Sequence, residues 1–181
     1  MRASFLVPAI ALIATPAVAQ STQAETYVQQ ASEAIGAPLS DVIGPTESVE
    51  AMAASLLSLP PGTNAVVFNQ TGTDNAITVE QTGLDNRVVV SQIGSGNRTG
   101  LVQDGSRNLF AATIFGDDNL VTANQMGDDN AYVLVMVGTN PEHVVSQLGD
   151  GNTATQVVAP GLQPAGIEQR GNGLDVLVER F

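Results

Sequence analysis

From residue 64 onward the chain is built of short runs in which every second residue is alike. One parity reads amide, apolar, apolar, amide: Asn64-Val66-Phe68-Gln70, Asn75-Ile77-Val79-Gln81, Asn86-Val88-Val90-Gln92 and Asn97-Thr99-Leu101-Gln103. Strand side chains alternate faces with a period of two, so each run predicts an extended segment with one apolar face closed at both ends by amides. The other parity carries Asn69, Thr78, Glu80, Arg87, Ser91, Arg98, Thr113, Thr122 and Asn124 among small or β-branched residues, a set suited to contact with water. Segments such as Thr71-Gly72-Thr73-Asp74 and Met126-Gly127-Asp128-Asp129 supply the Gly and Asp that tight turns need.

The runs recur every eleven residues, but the true period is twice that. Glutamine is absent at Ile114, Met136 and Val158, which are themselves 22 apart, so residues 64–173 are five repeats of 22 residues with two unequal halves. Each repeat predicts strand, turn, strand, turn. Stacked at about 4.8 Å, the repeats form an all-β, two-sheet β-solenoid of five coils roughly 24 Å tall. Stacking places residues 22 apart over one another. Asn64, Asn86, Asn108, Asn130 and Asn152 then form one column, and Asn75, Asn97 and Asn119 a second. Gln70 and Gln92 begin a third, while Gln81, Gln103, Gln125, Gln147 and Gln169 form an unbroken fourth. Amides in such columns bond to their own copies, which offsets a desolvation cost of about 1–3 kcal/mol per unmet buried group. Phe110 falls over Tyr132, and Asp85, Arg107 and Asp129 alternate in sign, both in favour of this register; Asp128 over Asp150 is a like-charge pair that opposes it.

Composition changes the picture in two ways. With 4% aromatic residues, no Cys, no Trp, no Lys and 18 Gly, a repetitive fold is favoured over a conventional packed globule, and disulfides supply no stability. The net charge of −12 repels phosphate, which excludes nucleic acid as a partner class. Residues 1–19 read as a secretory signal, with Arg2, an apolar stretch from Phe5 to Ile13 and Ala17-Val18-Ala19 before the cleavage point; the apolar run is too short to span a bilayer. In residues 20–63, Thr46 is a candidate N-cap, and Val49, Met52, Ala53, Leu56 and Leu57 follow helical spacing up to Pro60-Pro61-Gly62. This segment is expected to be a short helical or disordered stretch, serving export targeting or covering an exposed edge. Leu174 to Phe181 predicts one further strand.

The motif Gln-x-Gly-x-x-Asn, as in Gln70-Thr71-Gly72-Thr73-Asp74-Asn75 and Gln92-Ile93-Gly94-Ser95-Gly96-Asn97, doubled at 22 residues, resembles the curlin repeat of bacterial curli subunits. The resemblance implies a subunit passed through the periplasm with a chaperone, exported by an outer-membrane secretion pore and assembled outside the cell, with itself and other curlin-like subunits, into functional amyloid fibres for biofilm and adhesion. The sequence departs from that pattern at Ile114, Met136 and Val158 in place of Gln, at Pro141 and Gln163 in place of Asn, and in the proline-bearing stretch from Val158 to Pro164. Disturbance is therefore expected in the fourth and fifth repeats. Arg180 stands where the final strand would carry Gln, and the family's minor, fibre-nucleating subunit also has an arginine-bearing last repeat.

Catalytic chemistry is not encoded in any recognised arrangement, and no cofactor is implied. The single histidine, His143, falls on the inward parity and is expected to be structural. The acidic turns Gly116-Asp117-Asp118-Asn119 and Gly127-Asp128-Asp129-Asn130 raise a calcium-binding β-roll as the rival class, although that fold uses a nine-residue period. Otherwise these aspartates are solvated turn residues that hinder premature stacking.

Overall fold

A computed structural model describes residues 60–139 and 141–180. Eleven strands follow one another: β1 Ala65–Thr71, β2 Ala76–Thr82, β3 Arg87–Ile93, β4 Arg98–Asp104, β5 Leu109–Phe115, β6 Leu120–Met126, β7 Ala131–Val137, β8 Glu142–Leu148, β9 Thr153–Val158, β10 Ile167–Arg170 and β11 Asp175–Arg180. Odd strands form a six-stranded sheet and even strands a five-stranded one, all pairs being parallel. The two sheets face each other, and the chain crosses between them at every turn. This is a two-sheet β-solenoid of about five turns. Every strand pair is in the 22-residue register, from Ala65 beside Arg87 to Arg180 beside Val158.

The turns explain why glycine holds its column so strictly. Gly94, at φ +127°, lies so close to the next coil that an added Cβ would sit 2.0 Å from the carbonyl oxygen of Gly116. The left-handed position two residues later is taken by Asp74, Asp85, Arg107, Asp118 and Asp129, each with φ between 56° and 60°. A short polar side chain tolerates that conformation better than most, and the recurring Asp is the signature of it.

Inward-facing Val88, Val90, Leu101, Phe110, Ala112, Ile114, Val121, Tyr132, Leu134 and Met136 make one continuous core between the sheets. Phe110 stacks on Tyr132 with ring centroids 5.7 Å apart. The substitutions of Gln by Ile114, Met136 and Val158 belong to this core: where the amide column stops, apolar side chains fill the same corner.

Several expectations are corrected. Thr78, Glu80, Arg98 and Thr122 are exposed, whereas Arg87, Ser91 and Thr113, assigned to water, are buried. Those three belong to the six-stranded sheet, whose outer face is not a solvent face like that of its partner. Register persists through the fourth and fifth repeats; the disturbance is confined to a shortened, four-residue β10 after the 159–166 loop and to the turn at Pro141. Asp128 and Asp150 do stack, but the Asp150 carboxylate accepts the backbone N–H of Asp128 at 2.9 Å, so a peptide dipole rather than a second carboxylate faces the charge. The predicted final strand is β11. The leader, the Thr46–Leu57 helix and most of the 20–63 segment lie outside the described residues.

Candidate assembly site

The expected ladders are present, and their chemistry has a direction. In the unbroken glutamine column the Nε2 of each residue donates to the Oε1 of the next: Gln81 to Gln103 at 2.8 Å, Gln103 to Gln125 at 2.7 Å, Gln125 to Gln147 at 2.8 Å and Gln147 to Gln169 at 2.7 Å. The shorter column has one such bond, Gln70 to Gln92 at 2.8 Å, after which Gln92 turns its amide to the hydroxyl of Thr99 at 3.0 Å. Thr99 ends the polar column before Ile114, a role that its place among apolar inward residues did not reveal.

Asparagine runs the other way. The backbone N–H of each asparagine after the first pair, with its Nδ2 in all but Asn86, donates to the Oδ1 of the one a coil earlier, as Asn97 does to Asn75 and Asn108 to Asn86. The same pattern joins Asn130 to Asn108, Asn152 to Asn130 and Asn119 to Asn97. Nδ2 also reaches forward to a turn carbonyl, as from Asn64 to Gly83 and from Asn75 to Gly94. Most of these asparagines, such as Asn86, Asn97 and Asn108, therefore fasten their own coil to both neighbours. In the interior coils these amides are fully buried; Asn64, Gln70, Asn75 and Gln81, in the first coil, are half-buried because nothing among the described residues stacks below them.

The charged turn column ends in an ion pair, Arg107 Nε to Asp129 Oδ1 at 2.6 Å and Nη2 to Oδ2 at 2.7 Å. Side chains of Asp117 and Asp128 accept the backbone N–H of Ser95 and Ser106 at 2.7 Å. Among the described residues no three His, Cys, Asp or Glu side chains converge as a metal would require.

His143 lies inside the stack. Its Nε2 is 2.6 Å from the Tyr132 hydroxyl, which donates to Gln156 Oε1 at 3.0 Å. Burial pulls its pKa down to about 4, only partly opposed by the backbone at Ala165. Burial likewise raises that of Tyr132. This polar group takes inward positions that are apolar in the preceding coil, Tyr132 lying beside Phe110 and His143 beside Val121. Its legible signal was the stacking of Tyr132 over Phe110; the contribution of His143 from the opposite sheet depends on the width of the coil.

Among the described residues both ends of the stack are open. At one, β1 and β2 leave Val66, Phe68, Ile77 and Val79 partly covered, and the Oε1 atoms of Gln70 and Gln81 face outward, since each glutamine accepts from the coil before it. At the other, β10 and β11 leave Val176 and Val178 partly covered. There Gln169 Nε2 holds the carbonyls of Thr153 and Leu174 at 2.8 and 3.0 Å, matching the bonds of Gln147 to Ala131 and Asn152 but without a further glutamine ahead. Along the glutamine columns acceptors face out at the first end and the last amide stands at the other, while the asparagine ladders run in the opposite sense. Comparison with protein-family models, with curated proteins and with solved structures found no match to the chain.

Proposed function

We propose that the protein is a secreted structural subunit that polymerises by stacking along its solenoid axis into extracellular fibres, as the curlin subunits that its repeat resembles do. The observation that carries this reading is the complementarity of the two ends: unpaired parallel strand edges, half-covered apolar residues, and glutamines that accept at β1 and β2 and donate at β10. Open strand edges of this kind are templates for another chain, and natural folds that do not use them block them.

The odd number of strands fixes how the next copy fits. A continuing solenoid requires the strand after β11 to enter the five-stranded sheet, so β1 of the next copy pairs with β10 and β2 with β11. Successive copies are therefore turned by half a revolution, with Gln70 over Gln169. The two halves of the first repeat are alike enough to permit this exchange, because both carry Asn, two inward apolar residues and Gln.

Assembly kinetics test the reading. Residues 20–181 at micromolar concentration should develop a thioflavin signal after a lag that seeds abolish, with meridional diffraction at about 4.7–4.8 Å. A chain that stays monomeric for days, seeded or not, contradicts it. The atypical β11, where Arg180 Nη1 is tied to the Gln163 carbonyl at 2.8 Å, supports a second reading as a nucleator of a related subunit. That role requires substoichiometric amounts to shorten the other subunit's lag, and truncation after Gly173 to remove the effect. The calcium-binding alternative requires folding to vanish on chelation. Passage through an outer-membrane pore with a periplasmic chaperone follows from the resemblance and is part of the same proposal.

A further inference from the structure

The half-turn joint fixes which residues of two copies meet. With β1 set on β10 and β2 on β11, Gln70 falls beside Gln169, Phe68 beside Ile167, Ile77 beside Val176 and Val79 beside Val178, so that amide meets amide and apolar meets apolar. Gly72 falls beside Gly171, where the space is open. A Cβ added to Gly171 meets nothing nearer than Leu174 Cδ1 at 3.9 Å, whereas one added to Gly149, a coil below, sits 2.2 Å from the Gly171 carbonyl oxygen. The last glycine of the column has room for the carbonyl of one more.

One match in this register is unlike any inside the chain. Glu80 falls beside Glu179, both at exposed, outward strand positions. Among the described strands every carboxylate has uncharged cross-strand neighbours, as Glu80 has Val102 and Glu179 has Val157. The turn pair of Asp128 and Asp150 is eased by a backbone N–H that donates between them, but within a strand the N–H groups are committed to the ladder. Nor does the register place a cation beside either glutamate: Arg170 meets Thr71, and Arg180, on the other parity, meets Gln81.

Resting on axial stacking through that joint, we propose that Glu80 and Glu179 set how readily a second copy adds. The joint brings two carboxylates to neighbouring strands about 4.8 Å apart, and like charges directly opposite destabilise a strand pair. Addition is therefore held back at low ionic strength and released by salt. Within one chain the two glutamates belong to opposite ends of the stack, about five coils or roughly 24 Å apart, well beyond the ~8–10 Å screening length. They act on each other only across the joint. A first coil with a neutral or basic residue in place of Glu80 fits the β11 end better than the chain's own.

Charge reversal tests the pair on residues 20–181, each variant seeded with its own fibres and followed by thioflavin at low salt. Glu80→Lys and Glu179→Lys, made singly, turn a like-charge contact into an opposite-charge one and should each elongate at least about 3-fold faster than the unaltered chain. The double variant should be no faster than the unaltered chain, although its net charge is the least negative of the four, because like charges face each other again. At about 1 M salt, where the screening length is about 3 Å, the four rates should converge. If a lysine variant does not fold, Glu80→Ala and Glu179→Ala repeat the cycle: each should elongate faster than the unaltered chain, and the double no faster than the faster single. A double lysine variant that elongates fastest assigns the effect to net charge and overturns the proposal, as do four equal rates at low salt. Either result leaves axial stacking standing, whereas a chain that forms no fibres, seeded or not, removes stacking and the proposal with it.

Discussion

Asn119 lies directly under Pro141, and its buried Oδ1 has no hydrogen-bond donor. In every other coil of the asparagine ladders that oxygen receives a backbone N–H from the residue above, usually with an amide as well. Proline has neither group to give. The strand pairing survives, since Leu120 N still donates to the Pro141 carbonyl at 3.0 Å, but the turn does not: Gly138 is the one glycine of its eleven-residue series from 72 to 171 without a positive φ. Replacing Pro141→Asn should close the ladder and stabilise the fold by about 1–3 kcal/mol, the cost of an unmet buried group. Urea unfolding of the folded chain measures this; an unchanged or lower midpoint would place the strain elsewhere.

The stacked glycines should be the least tolerant positions. Gly105→Ala would put a methyl 2.1 Å from the Gly127 carbonyl at φ +123°, and is expected to cost more than about 3 kcal/mol or to prevent folding. Gly100→Ala, in the middle of β4 with open space around it, should be neutral or stabilising by up to about 1 kcal/mol. The pair of thermal midpoints separates stacking contact from glycine content.

Interior and exposed polar contacts should differ in the same sense. Gln103→Ala strands the Gln81 amide and the Gln125 carbonyl in a buried corner and should cost about 2–4 kcal/mol. Gln81→Ala, at the open edge, should cost less in the monomer yet lengthen the assembly lag. Asp129→Asn, which breaks the bidentate pair with Arg107 at a half-exposed turn, should change stability by less than about 1 kcal/mol, and less still at high salt.

Acid should weaken the fourth coil through His143. Its folded pKa, about 4, lies below the ordinary value of 6.5, so the folded state resists the proton that the unfolded chain takes up. Full stability holds above about pH 6.5, falls as pH drops from 6.5 to 4, and then levels off, a loss of about 3 kcal/mol from this group. His143→Gln should remove that step from the pH dependence of unfolding while lowering stability at neutral pH.

Much of this was legible before the fold was described. The 22-residue register followed from the gaps at Ile114, Met136 and Val158, because a column must be all amide or all apolar to pack, and the structure keeps that register in every strand. The ladder residues were readable for the same reason. What alternation could not show was the fate of Arg87, Ser91 and Thr113. A period of two separates inside from outside, but it treats both outer faces alike. The missed signal was the company those residues keep: Val89, Val133 and Val135 share their parity in the odd strands, whereas Glu80, Arg98 and Glu142 occupy it in the even ones. Nor could spacing show the meeting of Tyr132, His143 and Gln156, which belong to two sheets and three strands.

Helical reconstruction of fibres grown from residues 20–181 bears most directly on axial stacking. Eleven strands at two per coil and about 4.8 Å per coil give a subunit rise of about 26 Å with half a turn between neighbours. A fibre with that step and a 4.7–4.8 Å strand repeat along its axis is the outcome this account requires. Fibres that lack the strand repeat, or a chain that forms none under seeding, would contradict stacking itself, while neighbours related by no rotation would contradict the half-turn joint alone.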